Sequence, residues 1–308
     1  MISRRNIRIK VMQTLYNVSV LENNLKPGEP DRILQKHFDQ TCELFFFLTY
    51  FLMEVARYAE TDARLRAAKH LPTYEDLHVN TKIAGNEVLW KLREDPWLTQ
   101  QMDKWKPEQR SDRELVRKVY LQLLETPAYK TYINQAERNR RDEKEILEFI
   151  LNDLMLASES FTSYVEETFP NWHDDGDLVV QLLVALLAKP ETDPHTEMIS
   201  PDKLEFARSL LKTVMEKNEH LQSLIIPKLK NWDPDRIAQL DMILMKMGVA
   251  EFLYFETIPP KVTINEYIDL AKEYSTQQSG QFVNGILDNI HKELLQQGKM
   301  HKVDFKKA

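Results

Sequence analysis

Three arginines stand near the start of the chain, at Arg4, Arg5 and Arg8, with Lys10 following. Guanidinium groups hold phosphate through paired hydrogen bonds. A four-residue step puts Arg4 and Arg8 on one helix face with Arg5 at its border. Cations at a helix N-terminus oppose the macrodipole, so this cluster calls for a reason other than helix stability. Near the other end, Phe282 falls in the first turn of an apolar-periodic segment, about 100° around from Val283. An aromatic placed there stacks on a nucleobase, worth ~1–3 kcal/mol, or joins the core, as phenylalanine usually does. Gly285 in the same segment costs about 1 kcal/mol against alanine. Close approach by another backbone, from a neighbouring helix or from RNA, accounts for such a glycine. No catalytic constellation accompanies these residues. GxSxG, HExxH, Walker, CxxC and Rossmann patterns are missing, and the eight histidines are scattered. The residues point to binding and give no positive case for an enzyme, a cofactor or a metal.

The elements that must position these residues are helices. Only seven glycines occur in 308 residues, which disfavours hairpins and phosphate loops and points to an all-α chain. A 43% hydrophobic content supports a sizeable core, and the net charge of −7 argues against a surface coated all over by nucleic acid while allowing a local basic patch. The single cysteine, Cys42, sits among phenylalanines and reads as an inert thiol of a reducing compartment, hence cytoplasmic. The start of the chain reads as an amphipathic helix, not a signal peptide. The longest apolar runs, 44–53 and 178–188, fall short of the roughly 20 residues that span a bilayer, so no membrane is expected.

Periodicity predicts a first helix over 4–21, with Ile7, Val11, Leu15 and Val18 inward. A linker over 25–30 follows, then a long helix capped by Asp31 and reaching about residue 69. Its Phe45–Phe47, Tyr50 and Phe51 make it apolar nearly all round and require cover on every side. After a loop at 70–80, shorter helices are expected over 81–94, 97–105, 112–125 and 127–138, broken at Pro96, Pro107 and Pro127. One long helix is predicted over 143–168. Asp174, Asp175 and Asp177 lack calcium-loop spacing and read as caps for a helix over 177–188. After a loop at 190–201, helices over 202–217 and 219–230 lead to residues 233–290, read as three helices with two short turns. The first would be capped by Asp233 with Pro234 next and would bury Ile237, Leu240, Leu244, Met247 and Tyr254. The second would bury Ile264, Ile268 and Ala271, and the third Val283, Ile286, Leu287, Ile290 and Leu294.

That last stretch resembles the transcription antitermination factor NusB family. The resemblance rests on Trp232, Glu251, Leu253, Pro260-Lys261-Val262, Ile264-Asn265-Glu266, Leu270-Ala271-Lys272, Ser279 and Phe282-Val283-Asn284-Gly285, together with Arg4, Arg5, Arg8, Gln13, Leu15 and Tyr16 at the start. It implies a NusB-like pair of small helical bundles, enlarged here by an inserted helical region. On this basis residues 1–21 supply the first helix, 22–140 the insertion and 141–308 the remainder. It implies binding of a boxA-like single-stranded RNA together with the ribosomal protein NusE, within the RNA polymerase antitermination complex that promotes read-through in ribosomal RNA transcription. By position, the RNA side would be Arg4, Arg5, Arg8, Gln281 and Phe282, and the protein side Tyr16, Asp235 and Asp241. Asn6, Gln278 and Gly280-Gln281 depart from the family's usual arginine, acidic and His-Lys residues; fewer cations mean a weaker salt dependence. The alternatives are a helical scaffold, or an RNA-binding module of the ribosomal RNA methyltransferase type. Against the second, the chain lacks a glycine-rich cofactor loop and carries only one cysteine.

Overall fold

The computed structural model describes residues 2–21, 25–190, 198–229 and 237–303, and among them there is no strand. In chain order the helices are α1 (Arg4–Leu21), α2 (Glu29–Ala67), α3 (Tyr74–Leu77), α4 (Glu87–Glu94), α5 (Pro96–Trp105), α6 (Arg113–Glu125), α7 (Pro127–Asn134), α8 (Arg140–Phe149), α9 (Glu159–Thr168), α10 (Trp172–Ala188), α11 (Pro201–Glu216), α12 (Asn218–Ile225), α13 (Gln239–Tyr254), α14 (Pro260–Tyr274) and α15 (Ser279–Gln296). They form two compact units. The first joins residues up to Phe38 with Ile199–Ala308, and the second is Asp39–Met198, so α2 contributes to both. The chain therefore leaves the first unit within α2 and returns to it at Ile199. Ile146, Leu147, Ile150, Phe161, Val165 and Leu183 are buried in the core of the second unit.

The first unit is built around α13, which packs against α1, α11, α12, α14 and α15. From Ile243 to Phe252 nearly every side chain of α13 is buried, with Lys246 half-buried, so it has no solvent face along its middle. Gly248 permits the closest approach: a Cβ there would lie 2.9 Å from a Leu287 methyl carbon of α15. Three expectations are corrected. Helix α13 starts at Gln239, after the non-helical Ile237 and Ala238, and Asp233 and Pro234 lie outside the described residues. Tyr254 is exposed, and Ile237 and Leu240 are only half-buried, because they flank the fully enclosed middle. The inward face of α14 is Thr263, Tyr267, Leu270 and Ala271, leaving Ile264 and Ile268 half-buried. The inward faces of α1 and α15 contain every residue expected there.

In the second unit α2 is the core helix, and its aromatic run is covered all round. Phe47 packs on Phe169 at 4.8 Å between ring centres and Phe51 on Phe161 at 4.8 Å, while Phe46 meets Trp97 and Trp105. Prolines 96 and 127 occupy the first positions of α5 and α7, where a missing N–H costs nothing. The helix expected over 143–168 is interrupted. A π-helical stretch, Ile150–Met155, follows α8, and a break precedes α9. The three aspartates lie inside the first turns of α10 rather than ahead of it. Asp175 is buried and accepts hydrogen bonds from Thr41 Oγ1 (2.8 Å) and Asn171 Nδ2 (2.6 Å).

Candidate nucleic-acid and partner interface

The enclosure of the middle of α13 has an electrostatic consequence at Glu251, whose side chain is fully buried. A buried carboxylate is tolerated only when its oxygens are paired. Arg8 reaches it from α1: Nε donates to Oε1 at 2.7 Å and a terminal nitrogen donates to Oε2 at 3.1 Å. Tyr267 Oη donates to Oε1 at 2.8 Å and Thr263 Oγ1 to Oε2 at 2.9 Å, so both oxygens are doubly satisfied. Burial acts to lower the Arg8 pKa, but the hydrogen bonds and charge of Glu251 outweigh it and hold the guanidinium charged, further above its ordinary value. The same burial drives the Tyr267 phenol well above its usual range. Arg8 is 2% exposed and has no face to offer a phosphate, which corrects its expected place on the RNA side.

Arg4 and Arg5 are less enclosed, Arg4 sharing the Phe206 ring with Arg8 and Arg5 sharing Glu266 with it. The Arg4 guanidinium is exposed and lies 5.6 Å from the centre of the Phe206 ring of α11, a cation–π distance. Arg5 is half-buried and turns to α14, where it pairs with Glu273 at 2.8 Å and lies 3.9–4.0 Å from Asp269 and Glu266. Its charge is therefore already met by carboxylates, at an exposure where such pairs contribute about 1 kcal/mol or less.

Phe282 belongs to a groove of about 800 Å3 lined by residues from the end of the α12 segment, the start of α13 and the start of α15. Lys228, Asp241, Gln278, Gln281, Phe282 and Gly285 all face it. The Phe282 ring is half-buried, placing it between the two sequence alternatives, with part of its surface at the groove. Gly285 is exposed, and a Cβ there would meet nothing within 4 Å, so no neighbouring helix explains this glycine. Gln281 is exposed. The stem of Lys272 fills the space a side chain at Gly280 would need, 2.7 Å from a Cβ position. Lys228 is paired with Glu293. Among the described lining residues none comes from α1, so Arg5 and Phe282 do not line one pocket; Arg5 instead meets Glu273, in the last turn of α14 before the Ser275–Gln278 turn.

The expected protein-contacting residues fall as follows. Asp241 is 5% exposed; its Oδ2 accepts from Ser279 Oγ at 2.8 Å, while the buried Oδ1 has no hydrogen-bond partner. It lines the Phe282 groove, so the residues assigned by sequence to two different partners share one depression. Tyr16 is 43% exposed, and its carbonyl accepts from Ser19 Oγ, which itself accepts from Gln239 Nε2 at the start of α13. Tyr16 thus lies on the turn of α1 tied to the helix start that carries Asp241. Asp235 and Trp232 lie outside the described residues. Sequence reasoning missed Lys228, Gln278 and the opposed roles of Arg8 and Arg4. The signal for Arg8 was present only as an unpaired glutamate within the apolar run of α13.

Elsewhere, burial pushes the half-buried Cys42 thiol up to about 12, which leaves it protonated and unreactive at neutral pH. Among the described residues no group of three or more His, Cys, Asp or Glu side chains is placed to hold a metal, and no helix is long and apolar enough to cross a membrane.

Comparison with known proteins places this geometry. The NusB family model matches residues 174–292. The transcription antitermination protein NusB of Salinibacter ruber is 38% identical over 135 residues, which are 44% of this chain and 79% of that protein. The proteins of the same name from Chloroherpeton thalassium and Methylacidiphilum infernorum are 35% and 44% identical, and the matches cover 64% and 62% of their lengths. Among solved structures, T. maritima NusB is 30% identical with a TM-score of 0.30, covering 40% of this chain and 82% of that one. With the first of these relatives matched over most of its length, the chain belongs to the NusB family.

Proposed function

We propose that this chain is a non-enzymatic, cytoplasmic transcription antitermination factor. It binds a boxA-like single-stranded RNA together with the ribosomal protein NusE, and so joins the RNA polymerase complex that reads through terminators in ribosomal RNA transcription. The relatives' shared name supports the process, and the groove at the start of α15 supports the binding. The observation that carries the reading is the pairing of a partly open aromatic, Phe282, with a glycine, Gly285, that leaves space beside it. A half-buried ring at the edge of a groove can stack a base, and bare backbone lets a sugar-phosphate come close. Gln281 supplies polar contacts, and the exposed Arg4 supplies a cation beyond the groove, with Arg5 beside it held by α14 carboxylates. Arg8 serves by fixing α1 to α13. On the protein side, Tyr16 offers an exposed aromatic, while Asp241, buried against Ser279 at the edge of the groove, stays on that side from its sequence position. Asp235 stays on that side from its sequence position alone.

The test is titration of the full chain with a boxA-like RNA, with NusE, and with both, at several salt concentrations. Phe282→Ala is expected to weaken RNA binding by ~1–3 kcal/mol. The double substitution Arg4→Ala with Arg5→Ala is expected to flatten the slope of log affinity against log salt by about 0.7, one phosphate met by Arg4 on a single strand, because Arg5 is already paired with α14 carboxylates. It should leave NusE affinity in place. RNA affinity unchanged in both variants would remove these residues from the RNA side.

A further inference from the structure

The second unit carries a surface that the proposed antitermination role does not use. Helix α2 ends at Ala67, and the chain turns through Pro72 into the one-turn helix α3. This tip presents Tyr74, 76% exposed, among Leu65, Leu71 and Leu77, exposed at 60%, 83% and 55%. Tyr74 is not a loose side chain. Its ring stacks on His78 with centres 4.0 Å apart and planes 22° from parallel. His78 Nδ1 donates to the Tyr74 carbonyl at 2.8 Å, which locks the imidazole beneath the phenol. One face of the ring is therefore occupied and the other is open.

The backbone under the ring is equally fixed. Thr73 and Asp76 form a reciprocal capping box at the start of α3. Lys69 ties Asp76 back to the end of α2 at 2.7 Å. An aromatic presented on such a support loses little freedom when a ligand stacks on it. Of the cations near the tip, Arg66 is paired with Asp62 at 2.8 Å and Lys69 with Asp76 at 2.7 Å, which leaves Arg64. Arg64 is exposed and donates only to the Glu60 carbonyl and to Thr61 Oγ1, so no carboxylate neutralises it.

We propose that the tip at Tyr74 is a contact for single-stranded RNA, in which a base stacks on the open face of the His78–Tyr74 pair while Arg64 meets the backbone phosphate. Every base has a π-face, so this contact is tolerant of sequence. It rests on the reading of the chain as an RNA-binding protein and adds to it a site remote in sequence from Phe282. A duplex, whose bases are already stacked, does not supply a free base face, so the tip selects single strands.

The experiment uses the full chain and RNAs of increasing length, with a duplex of the same sequence as a control. Tyr74→Ala lowers affinity for the longer single strands by about five- to 150-fold. Tyr74→Phe keeps it, because stacking needs no hydroxyl. Arg64→Gln flattens the salt slope by about 0.7. These side chains are exposed, so circular dichroism of each variant should match the parent. A 4-thiouridine crosslink mapped to the peptide around Tyr74 gives a second readout. If Phe282→Ala weakens binding while Tyr74→Ala binds as the parent does and no crosslink maps to the tip, the proposal is overturned and the role of the groove stands. That result would leave Tyr74 and its leucines as a protein-docking surface. If the unaltered chain binds none of the RNAs, both fall.

Discussion

Arg8 and Arg5 stand three residues apart on α1 and end at different depths. Arg8 is sealed against Glu251 and lies 3.4 Å from Glu266 of α14, whereas Arg5 meets Glu266, Asp269 and Glu273 of α14 through partly open solvent. Truncating one member of a buried pair strands the other charge. Arg8→Ala is therefore expected to lower the free energy of unfolding by about 3–5 kcal/mol, and Arg5→Ala by about 1 kcal/mol or less. Urea titration measures both, and an Arg8→Ala variant within about 1 kcal/mol of the parent would sink the argument. Because the folded-state pKa of Arg8 is raised, its contribution is complete at every pH below the ordinary arginine value and is lost only at extreme alkalinity. The sequence located all three arginines on one helix but could not sort them. A four-residue step says which side chains share a face, and the partner that turns that face inward lies 243 residues away.

At the scale of the helix, α13 and α15 carry two glycines with opposite surroundings. A methyl at Gly248 would press on Leu287 at 2.9 Å and on Tyr267 at 3.3 Å, so Gly248→Ala is expected to cost about 1–3 kcal/mol through overpacking. A methyl at Gly285 meets nothing, and alanine there should raise stability by up to about 1 kcal/mol through helix propensity while weakening RNA binding by narrowing the groove. Thermal unfolding and RNA titration of the two variants separate these effects. A Gly285→Ala chain that binds RNA as tightly as the parent would mean the ligand does not approach that backbone. Most helices were legible from capping residues, prolines and periodicity, as α1, α2, α5, α7 and α15 illustrate. Two were not. The π-helical stretch at Ile150–Met155 keeps an apolar pattern that reads as one continuous helix. The pattern of α13 misassigned its ends, because a helix buried on all sides has no polar stripe to fix its phase.

At the scale of the molecule, the two units have separate cores joined through α2. Four of the five tryptophans, at 90, 97, 105 and 172, belong to the second unit, so fluorescence reports mainly on it. Phe47→Ala removes a ring at the centre of that core and is expected to cost about 3–5 kcal/mol. The fluorescence midpoint in urea should then fall below that of the far-ultraviolet circular dichroism, which also follows the first unit. Coincident midpoints in that variant would mean that α2 couples both cores into one transition. What the sequence by itself determined was the all-α class, the positions of most helices and the family resemblance of the C-terminal stretch. These rest on short-range facts: periodicity, capping, proline and the order of neighbouring residues. The tertiary structure alone decided which cation is structural, that Phe282 shares its groove with Asp241, and that the chain returns to its first unit at Ile199. Those outcomes depend on which distant surfaces pack together, because a charge is desolvated or a ring left open by the elements that meet it and not by the residues beside it.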